Sequence, residues 1–333
     1  MDAKIRRIER ALEALEPKEA DCTICPRDCR VDRRKGPAGV CGSGVRAGIS
    51  TGLLHYGEEP VLSGRAGGAP EGSGGAPPRG SGTIFFTGCN LKCLFCQNYQ
   101  ISWEGRGRIL TEDELAALML DLQARGAYNI NLVSPTHVIA PILRALRAAL
   151  AGGLRIPIVY NSNGYEKVDV IERLAGIVDV YLPDLKYFSP EVSKKYSGAS
   201  DYFAHASQAV EEMFVQRPDL VLDDEGLARE GLIIRHLVLP GRVEDSMAVL
   251  DWIGRTLPPD TALSLMSQYH PCYRAPEDIR RPLGAEEYRA VVDRARALGL
   301  TQLFIQPEVF GTDDHLVPDF ERGDPFRWRP QEK

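Results

Sequence analysis

The sequence predicts an α/β fold, a wound parallel sheet or barrel preceded by a small cysteine-rich module. Three observations predict it. From Thr83 onward, short apolar runs alternate with stretches of helical periodicity, a rhythm that demands parallel strands joined by right-handed crossovers. Ahead of that rhythm, four cysteines fall between Cys22 and Cys41. The chain has 333 residues, 44% of them hydrophobic, enough for one large core with a small satellite.

Taken in order, Ile5, Ile8, Leu12 and Leu15 recur at helical spacing and predict a short amphipathic helix over residues 1–18. The cysteine segment follows and completes a module over 1–62. Residues 63–82 hold eight glycines and three prolines without apolar periodicity, the composition of a flexible loop. The glycines are not read as a phosphate cradle, because no strand is expected directly before them and no helix after. Over 83–310 the expected strands are 83–87, 129–134, 156–161, 178–183, 232–239, 262–267 and 302–306. The expected helices are 112–125, 138–151, 167–175, 200–217, 245–256 and 285–298. Residues 218–231 interrupt the rhythm, and Asp223-Asp224-Glu225-Gly226 between apolar flanks predicts a hairpin insertion. Residues 311–333 form a tail. In this architecture the chemistry belongs at the carboxyl ends of the strands.

A formal charge of −6 gives no bulk attraction for phosphate backbones or anionic membranes, so nucleic acid and membrane are not expected partners. The first twenty residues mix charges with single apolar residues and lack the core of a secretory signal. With no apolar run of about 18 residues, the expectation is a cytoplasmic protein. Eight cysteines clustered at short spacings then read as metal ligands rather than disulfides.

Cys89, Cys93 and Cys96 form a C-x3-C-x2-C loop immediately after the first strand of the regular pattern. Iron–sulfur clusters are usually held by four thiolates, so three imply a cubane with one iron open to another ligand. Three thiolates with one further ligand also make a zinc site, although structural zinc loops usually pair two C-x2-C knuckles. The stretch resembles the C-x3-C-x-aromatic-C signature of the radical S-adenosylmethionine (SAM) superfamily, with Phe95 as the aromatic. That resemblance implies a partial (β/α)6 barrel, a [4Fe–4S] cluster on the three cysteines and SAM chelating the open iron. It sets Phe95 near the adenine, adds Asn98 to the SAM-binding residues, and implies that SAM is cleaved reductively to a 5′-deoxyadenosyl radical.

Other segments resemble, more narrowly, the activating enzymes of glycyl radical enzymes, in a branch related to pyruvate formate-lyase activating enzyme. Asn161-Ser162-Asn163-Gly164 matches a segment that contacts SAM and a monovalent cation. Asn161 stands where the family has aspartate, which removes a charged oxygen ligand for the cation. Asp184 and Lys186 match the family's Asp-x-Lys pair, which lines the SAM and substrate pocket. Arg235 is implied to bind the SAM carboxylate, which suits its fork, and His270 to lie near the ribose or adenine. Where many superfamily members carry Gly-Gly-Glu, this chain has Ser134-Pro135-Thr136-His137. Ser134 and Thr136 remain able to accept a hydrogen bond from the SAM ammonium. His137 reads either as a proton donor near SAM or as the polar residue opening a helix.

Cys22, Cys25, Cys29 and Cys41 supply four thiols within twenty residues, a set that closes a metal site completely. Structural zinc and an auxiliary iron–sulfur cluster are both consistent with it. Cys272 is left over and reads as a small buried apolar residue. The resemblance implies a monomer that acts on a glycyl radical protein and takes electrons from a low-potential donor, flavodoxin or ferredoxin. A small molecule or peptide substrate is the alternative, and a zinc-stabilised scaffold without redox chemistry a second one. No individual catalytic residue is assigned.

Overall fold

The structure is a computed structural model and describes residues 2–64, 79–307 and 316–326. In chain order its elements are α1 (Asp2–Leu15), β1 (Gly48–His55), α2 (Pro60–Ser63), β2 (Ser81–Phe86), α3 (Tyr99–Ser102), β3 (Arg108–Ile109) and α4 (Glu112–Ala124). Then come β4 (Ile130–Val133), α5 (Ile139–Ala151), β5 (Ile158–Ser162), α6 (Val168–Glu172), β6 (Val180–Pro183), α7 (Pro190–Ser197) and α8 (Tyr202–Gln216). The chain continues with β7 (Val221–Leu222), β8 (Ala228–Leu237), α9 (Val243–Thr256), β9 (Ala262–Met266), α10 (Ala285–Ala297) and β10 (Leu303–Ile305). No helix among the described residues is long and apolar enough to cross a membrane.

The strands form one sheet in the order β10-β9-β8-β6-β5-β4-β2-β1-β3, with β7 paired to β8. Every neighbouring pair from β2 to β10 along that path is parallel, as the alternation of strands and helices requires. The parallel series ends in a seventh strand, the three-residue β10, where the sequence reading expects one over 302–306. The expected hairpin is present, with β7 antiparallel to β8.

Three features depart from the sequence reading. Residues 48–55, assigned to the cysteine module, are a strand antiparallel to β2, and α2 follows it, so regular elements do precede the glycine-rich stretch. Gly52 hid this strand: it thins the apolar pattern where Leu118 packs so closely that a Cβ would lie 2.8 Å from it. Helix α7 was read as connection. Its start is capped by Ser189, which accepts from the Val192 amide, and its end by Gly198 at φ 60°. Of the loop expected over 63–82, residues 65–78 lie outside the described residues, and so does most of the 311–333 tail. Within 316–326, Phe320 and Phe326 pack on Phe85 of β2.

Side chains alternate along a strand with period two, and here that sorts the barrel interior into layers. Val159, Leu182, Ile233 and Ala262 form an apolar layer with Leu62 of α2, so α2 plugs the barrel floor. Two residues further along the same strands stand Asn161, Asp184, Arg235 and Ser264. The polar layer thus lies toward the carboxyl ends.

Candidate functional site

The three-cysteine loop leaves β2 at the carboxyl end of the sheet. Gly88 takes φ +80°, and a Cβ there would lie 2.6 Å from the Cys41 carbonyl, so only glycine lets the chain turn at this point. Neighbouring elements hold the loop. The Leu94 amide donates to the Tyr196 carbonyl, and the Arg274 amide to the Leu94 carbonyl. Gln97 donates to the Gln268 carbonyl at 2.8 Å.

Each thiol meets at least one neutral side-chain donor, and Cys93 also meets the Tyr187 hydroxyl at 3.9 Å. Asn163 lies 3.4 Å from Cys89 Sγ, Ser197 Oγ 3.2 Å from Cys93 Sγ, and Ser102 Oγ 3.2 Å from Cys96 Sγ. Burial, with the repulsion of Cys93 added, pushes the Cys96 thiol up to about 12. Cys93 is also raised by burial, with Lys186 pulling the other way. Thiols so desolvated ionise when positive metal offsets the charge, and three of them with donors on the sulfurs suit a cubane with one open iron. Among the described residues, no group of three or more Cys, His, Asp or Glu stands in position to hold a single metal ion. A cubane makes a different demand, because each thiolate binds its own iron.

Asn161, Asp184, Lys186 and Arg235 are brought together. Arg235 Nε donates to Asp184 at 3.0 Å and Nη2 to Asn161 Oδ1 at 2.6 Å, while Lys186 pairs with Asp184 at 2.7 Å. Burial would raise the Asp184 carboxyl, yet Arg235 and Lys186 together hold it below its usual value. The guanidinium also faces Glu58 at 3.6 Å, and Glu58 faces His55 at 3.4 Å. Arg235 is therefore tied to protein oxygens on three sides. Sequence reasoning missed Glu58 and its neighbour Glu59, which is 9% exposed, because both precede the barrel. The α2 plug carries them inside.

Phe95 is buried edge-on against Tyr196 and Tyr269, and Asn98 precedes α3, whose Ser102 amide bonds its carbonyl. Asn163 bridges Cys89 to Asn90 Oδ1 at 2.8 Å. Gly164, at φ +79°, allows the close approach of the Asp184 carbonyl, 2.1 Å from where a Cβ would stand. Tyr202, unsuspected from sequence, ties the β5 and β6 ends: its hydroxyl lies 2.9 Å from the Asn163 carbonyl and 2.8 Å from that of Asp184. His270 is half-buried in the loop after β9.

Ser134 adopts φ 58°, a left-handed conformation that costs a non-glycine residue about 1 kcal/mol or more. Thr136 is fully buried and its hydroxyl donates to Glu166 at 2.5 Å. His137 is 2% exposed, and its Nε2 lies 2.8 Å from the Thr87 carbonyl. Burial lowers its pKa to about 4, so the ring is neutral near pH 7 and its N–H is engaged. It lies in the helical turn after β4.

Glu166 yields a pH prediction. Burial raises its carboxyl to about 7 against hydrogen bonds from Thr136, Ser162 and Tyr160. A carboxyl raised on folding binds more protons in the native state, so stability falls as pH rises from the unfolded value near 4.5 through 7. Glu166→Gln is expected to remove that loss, about 3 kcal/mol at pH 8. Urea unfolding of both proteins between pH 5 and 8 checks it, and parallel curves would refute it.

Sequence comparison finds that the profile of the Radical SAM superfamily matches residues 83–214. An uncharacterized protein of Methanocaldococcus jannaschii is 31% identical over 295 residues, covering 85% of this chain and 77% of that protein. Among solved structures, Streptococcus suis SuiB bound to S-adenosylmethionine aligns at 12% identity and a TM-score of 0.44. That alignment covers 66% of this chain, which spans about half of SuiB, 47%. A structure of anSMEcpe with bound AdoMet aligns at 12% identity over 65% of this chain and 61% of its own, with a TM-score of 0.43.

Proposed function

For a chain that belongs to the radical SAM superfamily, we propose reductive cleavage of S-adenosylmethionine at a [4Fe–4S] cluster on Cys89, Cys93 and Cys96, in the service of installing a glycyl radical on a separate protein. One observation carries the cluster assignment: three desolvated thiols on one loop at the carboxyl end of the first parallel strand, each with a neutral donor at its sulfur. Cys89, Cys93 and Cys96 would hold the cluster, which would supply the electron for cleaving the sulfur–carbon bond of SAM and so the radical chemistry of hydrogen abstraction. Asn163, Ser197 and Ser102 temper the thiolate charge. Lys186, held by Asp184, adds a positive charge beside Cys93, which favours the reduced state. Phe95 closes the loop against Tyr196 and Tyr269 and keeps water from its inner side. A flavodoxin or ferredoxin supplies the electron, and the reading includes a second metal centre on the N-terminal thiols.

The glycyl radical assignment rests on the sequence likeness of residues 161–164, and of Asp184 and Lys186, to the activating enzymes. Anaerobic reaction with a glycyl radical protein, SAM and reductant is expected to give the doublet of a glycyl radical in electron paramagnetic resonance. If SAM is cleaved but deuterium enters 5′-deoxyadenosine only from a labelled metabolite, the protein substrate is wrong and the cluster chemistry stands.

A further inference from the structure

We propose that Cys22, Cys25, Cys29 and Cys41 together close one iron–sulfur centre, and that this centre braces the catalytic loop through Arg27. The inference rests on the reading of 89–96 as the cluster loop and gives the N-terminal module its role.

The four thiols line one cavity. Cys41, Cys22 and Cys29 each stand close enough to Cys25 to repel its charge. The cavity wall has two charged residues, Arg27 and Arg33, and no carboxylate. Four thiolates around a divalent core carry a net charge of about −2, which two guanidiniums match. Arg33 is 1% exposed and donates to the neutral carbonyls of Ser43 at 3.1 Å and Gly44 at 2.6 Å. Glu19, which feels its charge, is already shared with Arg144. A buried guanidinium is costly without an anion, and a thiolate centre supplies one. His137 stands on the same wall, and its Nδ1 has no hydrogen-bond partner, although it is almost wholly buried.

Arg27 lies between two of the proposed ligands. Its Nε donates to the Asn90 carbonyl at 2.8 Å and its Nη2 to that of Leu91 at 2.9 Å, both inside the catalytic loop. The same fork reaches Ser197 and Gly198, with oxygens at 2.8 and 2.6 Å, and stacks 5.3 Å over the Tyr165 ring. Ser197 is the residue whose hydroxyl meets Cys93. One guanidinium thus fixes the backbone beside Cys89 and the donor to Cys93. Asp28 and Arg30, on either side of Cys29, hold φ of 43° and 55°, conformations that persist where surroundings over-determine them. A centre gripping Cys25 and Cys29 sets the aim of Arg27.

The test uses the full chain, purified anaerobically, with zinc, iron and sulfide analysis and amide hydrogen exchange. Cys93→Ala/Cys96→Ala protein is expected to keep one iron–sulfur equivalent and no stoichiometric zinc, and Cys25→Ala/Cys41→Ala protein is expected to lose that equivalent. In the latter, exchange over 89–93 is expected to rise at least about tenfold. Arg27→Ala leaves all thiols in place and is expected to keep the N-terminal metal while showing the same faster exchange. Arg27→Lys recovers it only in part, since a single ammonium lacks the fork. Absence of that iron–sulfur equivalent in the Cys93→Ala/Cys96→Ala protein overturns the centre. Unchanged exchange in Arg27→Ala overturns the brace. Neither readout depends on SAM cleavage, so failure of the proposed activity leaves both decidable.

Discussion

Cys96→Ala is expected to abolish 5′-deoxyadenosine formation, by at least roughly a thousandfold, because the reaction has no slower route once its electron source is gone. Iron in the reconstituted protein should fall by one cubane in the same variant, while far-ultraviolet circular dichroism stays unchanged. The fold tolerates the change because Cys96 sits in a loop held by the backbone bonds of Leu94 to Tyr196 and Arg274 and by Gln97. Ser102→Ala removes only a donor to the same sulfur and should lower the rate modestly without loss of iron. Retained cleavage in Cys96→Ala would remove the cluster from these three thiols and with it the proposed activity.

Arg235→Ala is expected to cost about 3–5 kcal/mol of stability and lower the melting temperature by more than about 5 °C. The guanidinium holds Asp184 at 3.0 Å and Asn161 at 2.6 Å within the barrel. Its loss strands the Asp184 carboxylate with Lys186 alone, and leaves Glu58 without its cation. Adding Asp184→Asn to Arg235→Ala should restore part of the loss, because a neutral amide is cheaper to bury than an unpaired charge. Thermal and urea unfolding of the single and double variants measures this coupling. A loss under about 1 kcal/mol in the single variant would mean that water, rather than Arg235, satisfies these groups.

The parallel series was legible because each strand carries its own apolar run and each crossover its own helical period. The elements that escaped notice lack such a signal. Strand β1 pairs antiparallel with β2 and is mostly half-buried, so its pattern is thin and two of its positions are glycine. Helix α7 is eight residues long and owes its limits to Ser189 and Gly198 more than to periodicity. Among the site residues, Asn161, Asp184, Lys186 and Arg235 were legible through the likeness of their segments to the activating enzymes, and the structure brings all four together.

The sequence by itself determined the chemistry available: three thiols at a spacing one loop can wrap, four more in a closed set, and an order of strands and helices that puts both before or at the first barrel strand. Local pattern suffices for these because cysteine spacing and apolar period are properties of neighbouring residues. Which partners those residues take was decided only by the tertiary structure. The fold bonds Thr136 to Glu166, occupies Arg235 with Asp184 and Asn161, carries Glu58 in beneath them, and sets Arg27 against the carbonyls beside Cys89. These pairings join residues from dozens to well over a hundred positions apart, and they exist because a buried charge must find its counterpart wherever the packed chain brings one within reach.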